Sequence, residues 1–289
     1  FSEPTMSSPA IASAPQPVLS VNNVEVIYNH VILVLKGVSL AIETGQVFAN
    51  ADGSWTSVQS SSPVRAMQDN GQWAPIDLDL ERVPGGYAPA NALGNLLLSD
   101  GETNTFAQMT VQDRDVSWKW PGTLPTPIVE GSTLTYPEVV EGGDLIVAAT
   151  PTGFRHDLVL RHAPANDLSI AIPVVTSGPS VRHAGDGGLR LETRGGEELV
   201  TAPEPVMYDA ANDGFDAASR VLPIDTTVTQ TEQGSVIRLK PDPEFLNDDA
   251  TRYPVVIDPA WSSTNPDDTW IHNTKKDAIH PYEETLYAG

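Results

Sequence analysis

The sequence of 289 residues contains no cysteine. This excludes a disulfide framework, a thiolate metal site and a cysteine nucleophile. Basic residues are scarce, with 16 Lys and Arg against 38 Asp and Glu and a formal net charge of −22. Phosphate backbones need local positive charge. The densest basic spot is the pair Lys275-Lys276, so nucleic acid is not an expected partner. Long apolar runs are missing too. The longest near the N-terminus, Val31 to Leu35, ends at Lys36, far short of the about 20 residues a bilayer span requires. Residues 1–17 are rich in Ser, Pro and Ala, without the basic start and apolar core of a secretory signal. They read as a flexible tail.

What is present is apolar and heavily punctuated. Hydrophobic residues make up 40% of the chain, enough for a core. The 25 prolines are spread along its length and break any long helix. The pairs Asp52-Gly53, Asn70-Gly71, Asp100-Gly101, Asp186-Gly187, Asp213-Gly214 and Gln233-Gly234 separate short apolar stretches. Asn-Gly and Asp-Gly favour tight hairpin turns because their central residues take positive φ.

Period-two alternation fills the intervals. Val24, Val26 and Tyr28 alternate with Glu25 and Ile27, and Val31 to Leu35 follows as a second, more buried strand. Phe154, His156, Leu158, Leu160 and His162 share one face, and Arg155, Asp157, Val159 and Arg161 the other. Ile237 and Leu239 oppose Val236, Arg238 and Lys240, and Tyr253, Val255 and Ile257 alternate similarly. The only helix-like stretch, Asp209 to Leu222, is interrupted by Gly214 and stopped by Pro223. The pattern predicts an all-β fold of mostly antiparallel, sandwich-like sheets.

Two stretches resemble known families. Residues 18–42, VLSVNNVEVIYNHVILVLKGVSLAI, resemble the start of an ATP-binding protein of a branched-chain amino-acid ABC transporter. There an aromatic at the position of Tyr28 would stack on adenine. The family continues into G-x-x-x-x-G-K-[ST], whose amides cradle phosphates. Here the chain reads ETGQVFAN, and no Gly-Lys-Ser/Thr occurs anywhere, so this stretch reads as an inactive remnant. The remainder, about 47–261, carries VFANADGSWT, SPVRAMQDNGQWAPIDLDLERV, SWKWPGTLPTPIVEGSTLTYPEVVEGGDLIVAATPTGFRHDLVLRHAP and YPVVIDPAWSS. It resembles the N-terminal region of large secreted actinobacterial proteins that carry DNRLRE modules, LamG-like domains or RHS repeats. That resemblance implies an extracellular or cell-surface setting. It also implies a scaffold role, downstream modules of the same polypeptide as partners, and no catalysis in this region. The chain is therefore expected not to be an enzyme. The expected divisions are a tail (1–17), the ATPase-like stub (18–45), a β-rich scaffold region (46–262) and the start of a further β module (263–289). Residues 1–41 hold only Glu3, Glu25 and Lys36 among their charges, so nearly all the acidity belongs to the later stretch.

Candidate sites are few. Trp118 and Trp120 in SWKWPG share a face on a strand. Exposed, they would form a platform for a carbohydrate or cell-wall polysaccharide. Buried, they would be core, which their alternation with Lys119 favours. His156 and His162 would lie about 20 Å apart on a straight strand at ~3.3 Å per residue, too far to share a metal; surface or satisfied histidines are expected. The acidic runs 242–249 and 265–268 lack EF-hand spacing and read as solvated loops; in an extracellular setting calcium is the metal their oxygen ligands would best suit. No cofactor is expected. No G-x-S-x-G marks a serine nucleophile.

Overall fold

The computed structural model describes the strands 20–22, 39–42, 45–49 and 55–59, residues 63–68, 71–211 and 220–263, and the strands 270–272 and 275–280. Among the described residues the fold is all-β, with antiparallel pairing throughout the sheets and one single-turn helix. The expected strands over Val24 to Tyr28 and Val31 to Leu35 lie outside the described residues, as do Asp52-Gly53 and Asp213-Gly214.

Two compact units divide at Trp73/Ala74. The first contains a four-stranded antiparallel sheet of β1 (Ser20–Asn22), β2 (Ser39–Ile42), β3 (Gly45–Ala49) and β4 (Trp55–Gln59). Ile42 pairs with Gly45 and Ser39 with Phe48. One sheet therefore runs across the expected boundary at 45/46. β5 (Arg65–Met67) follows, and β6 (Trp73–Pro75) crosses the division.

The second unit is a sandwich. Its first sheet has eight strands, which in chain order are β7 (Asp77–Val83), β8 (Gly86–Asn91), β9 (Asn95–Leu98), β10 (Thr105–Val111), β11 (Arg114–Lys119), β16 (Ile170–Thr176), β22 (Asp225–Thr231) and β23 (Gly234–Lys240). In space they run β22-β23-β16-β11-β10-β9-β8-β7. The second sheet has eleven strands, with a main path β12-β13-β14-β15-β25-β19-β18-β17. These are β12 (Ile128–Glu130), β13 (Thr133–Val140), β14 (Gly143–Ala149), β15 (Gly153–Leu160), β25 (Ala260–Ser263), β19 (Glu198–Ala202), β18 (Leu189–Glu192) and β17 (Ser180–His183). A branch leaves this path at β15: β24 (Val255–Asp258) pairs with β15, β20 (Val206–Tyr208) with β24, and β21 (Val221–Pro223) with β20. A last hairpin, β26 (Trp270–His272) and β27 (Lys275–His280), follows.

The turns follow their residue chemistry. Pro84-Gly85 joins β7 to β8, with Pro fixing the first central φ and Gly85 taking φ +92°. Gln233-Gly234 closes β22 on β23, and Gly234 sits so near the Val174 carbonyl that a Cβ would collide with it. Asp100-Gly101 and Asp186-Gly187 likewise fall between strands. In the acidic run 242–249, residues Pro243–Leu246 form the helical turn α1. The Asp242 carboxylate caps it, accepting from the Glu244 N–H at 2.8 Å, and proline occupies the first helical position.

Alternation places one face of each sheet inward. β14 buries Leu145 and Val147, β15 Phe154, His156, Leu158 and Leu160, and β23 Ile237 and Leu239. The two inner faces meet at aromatic contacts. Trp118 of β11 lies 4.9 Å from Phe154 of β15 and 5.5 Å from Trp261 of β25, centroid to centroid. Phe106 of β10 packs edge-on to Phe154 at 6.0 Å. Both long margins are bridged. The Leu80 N–H of β7 donates to the Gly131 carbonyl beside β12 at 2.9 Å. Opposite, the buried Ser235 hydroxyl accepts from the Val181 N–H at 2.9 Å and donates to Gln230, whose amide donates to the Val181 carbonyl. Among the described residues no helix is long and apolar enough to cross a membrane.

Candidate functional site

Strand β15 carries ionisable groups on both faces. Its register against β14 (His156 opposite Val147, Asp157 opposite Ile146) turns His156 into the core and Asp157 outward. The strand is held on its other side by β24 and β25 in succession, with the His156 N–H donating to the Pro259 carbonyl at the step between them.

On the inner face, His156 is 3% exposed. Its ring lies 5.0 Å from that of Phe106 and 5.8 Å from that of Phe154. Neither ring nitrogen has a hydrogen-bond partner. Burial without a partner disfavours the imidazolium and pushes the group down to about 3. Beside it is a cavity of about 10 Å³, lined by apolar side chains that include Trp120, Leu158, Ile172 and Ile257. His156 is thus neither a surface nor a satisfied histidine, contrary to the expectation from sequence. His162 lies beyond the end of the strand, exposed, against Gly142. The two do not meet.

On the outer face, Asp157 is 5% exposed although it points away from the sandwich core. The pairing Leu158–Ile257 puts Asp157 opposite Asp258. Arg155, on the same face, pairs its Nε with Asp157 Oδ2 at 3.0 Å. Asp157 Oδ1 is buried and has no hydrogen-bond partner, and Asp258 is the residue that the register sets across from it. Two carboxylates cannot hydrogen-bond each other, so a bond between these two would require a proton on one of them. Desolvation first, then the charge of Asp258, pushes Asp157 up to about 7, against the opposing pull of Arg155. Tyr208 of β20, on the adjoining strand, is raised by burial and by the same two carboxylates. This arrangement can hold and release a proton near neutrality. Among the described residues no group of three or more His, Asp or Glu side chains is placed to hold a metal. In the run 242–249, Asp242 caps α1 and Asp248 pairs with Arg220 at 2.9 Å. The run 265–268 lies outside the described residues.

Trp118 and Trp120 are 0% and 4% exposed. Trp118 is wedged between Phe154 and Trp261, and Trp120 lines the cavity beside His156. Neither offers a face to a sugar. The alternation of β15 was visible in the sequence, but the meeting of Asp157 with Asp258 depends on long-range register and left no local signal.

No family model matches the chain, and no solved structure matches it. Curated relatives do. A stretch of 143 residues, 49% of the chain, is 24% identical to tRNA nuclease WapA of Bacillus subtilis (strain 168). The same holds for the tRNA3(Ser)-specific nuclease WapA of Bacillus spizizenii. The tRNA(Glu)-specific nuclease WapA of Bacillus subtilis subsp. natto is 24% identical over 144 residues. The match spans 6% of each relative's length. The expectation that the chain is not an enzyme is thereby corrected: the relatives it matches are named nucleases.

Proposed function

We propose that residues 74–263 form a β-sandwich scaffold within a long secreted or cell-surface polypeptide of the tRNA-nuclease kind. Its partners are the modules that follow it in the same chain, which it holds and presents. The observation that carries this reading is the match itself. Half of this chain corresponds to a small part of much longer nucleases, so tRNA cleavage is proposed for the parent polypeptide as a whole. The resemblance of 47–261 to the region ahead of DNRLRE, LamG-like or RHS modules supports the same placement. The architecture suits it: two antiparallel sheets share one core, and both margins are bridged by hydrogen bonds. Open sheet edges invite pairing with other chains, which crowded surface modules must avoid.

The test is deletion of 74–263 from the parent polypeptide in its native cell. Surface display of an epitope placed C-terminal to the deletion, and tRNA cleavage by the released polypeptide, are then measured. Loss of display is expected. Unchanged display and cleavage would overturn the proposal.

A further inference from the structure

The β20–β21–β24 branch joins the rest of its sheet along one seam. Within that sheet, backbone pairing connects it to the main path through three facing positions, Leu158–Ile257, Val159–Val256 and Leu160–Val255. At the end of this ladder stand Asp157 on β15 and Asp258 on β24, on the outer face and across the seam from each other. We propose that a proton shared between Asp157 and Asp258 latches the branch to β15, and that loss of this proton loosens it.

The geometry carries the argument. Asp157 is 5% exposed, its Oδ1 has no hydrogen-bond partner, and the register sets Asp258 across from it. With the proton in place, the seam gains a carboxyl–carboxylate hydrogen bond between two strands. Without it, two negative charges stand across the seam from each other, with Asp157 nearly closed to water and Asp258 partly exposed. The charged and titratable groups that meet there are Arg155 from β15 itself, Asp258 from β24 and Tyr208 from β20. Arg155 already engages Asp157 Oδ2 and its side chain is about half exposed, so it moderates the repulsion without removing it. The apolar contacts of Val255, Ile257 and Met207 keep the branch folded on the core in either state; the latch sets how often it opens.

The sign follows from linkage. Asp157 is raised from 3.8 to about 7 in the closed state. The closed branch therefore retains a proton that an opened branch releases throughout that window. Closure is strongest below pH 4 and is lost as pH rises towards 7, by up to about tenfold in the opening equilibrium per pH unit. Above pH 7 both states are ionised and the dependence stops.

Hydrogen–deuterium exchange of the full chain between pH 5 and 7, corrected for intrinsic exchange chemistry, tests this. Amides of Val206–Tyr208 and Val255–Asp258 are expected to lose protection by up to about a hundredfold relative to β14. In Asp157→Asn the amide donates to Asp258 at every pH, and this relative loss should vanish. Asp258→Asn supplies the same test should the first variant fail to fold. Protection that changes in parallel in the branch and β14 overturns the latch, as does a variant that keeps the wild-type pH dependence.

Discussion

Replacing His156 by phenylalanine should make the protein more stable, and increasingly so in acid. The imidazole sits between Phe106 and Phe154 with two unpartnered nitrogens and a small cavity beside it, so a phenyl ring fits the chemistry of the site. In the folded state the group is held down to about 3 against 6.5 for a free imidazole. Below pH 6.5 the unfolded chain takes up a proton that the folded chain refuses. Wild-type stability therefore falls by ~1.4 kcal/mol per pH unit from this residue alone, or about 2 kcal/mol by pH 5. Asp157 acts in the opposite sense over an overlapping window, since its raised group makes the folded state the better proton binder between 3.8 and about 7. Between pH 4 and 6.5 the two slopes nearly cancel in the wild type. His156→Phe unmasks the Asp157 slope, and Asp157→Asn unmasks that of His156. Relative to wild type, the two variants should diverge by roughly 2.7 kcal/mol per pH unit over that range. Urea denaturation at pH 4, 5, 6 and 7, followed by the fluorescence of buried Trp118 and Trp261, measures this. The other carboxylates cancel in the comparison. A constant offset of both variants from wild type at every pH would mean that neither His156 nor Asp157 changes its proton affinity on folding.

Further outcomes follow from other parts of the fold. The β10–β11 hairpin turns on Gln112 and Asp113, at φ +48° and +60°; Gln112→Asn with Asp113→Gly should add about 1 kcal/mol and raise Tm in a thermal melt. Ser235→Ala leaves the Val181 N–H buried without an acceptor and should cost roughly 1–3 kcal/mol in urea denaturation. A Cβ on Gly153 would run into the Trp261 carbonyl where β15 meets β25; Gly153→Ala should abolish the cooperative transition seen by near-ultraviolet circular dichroism.

Much of the sandwich was legible because its strands bury one face. Phe154 to Leu160, Ser235 to Lys240 and Val255 to Ile257 fold with the inward and outward sets their alternation implies. Asp242-Pro243-Glu244 carried a cap, a first-turn proline and a first-turn acid, a helix signal obscured by the acidity of its surroundings. The candidate site was half legible. The sequence put His156 inward and Asp157 outward, but whether a histidine is satisfied depends on what faces it from another strand. Phe106 and Pro259 are remote in the chain. The Asp157–Asp258 contact is likewise a fact of register between β15 and β24.

The strand β7 begins the sandwich at the margin of its sheet, with β8 as its one ladder partner and the Leu80–Gly131 hydrogen bond as its tie to the other sheet, whereas β25 is gripped on one side by β15 and on the other by β19. A polypeptide pulled between two anchors would feel this difference. Tension entering at Ala74 peels β7 from its neighbour bond by bond, while tension leaving at Ser263 must shear β25 from two partners at once. Under such a pull the N-terminal margin would be the weaker end of the sandwich and would yield first.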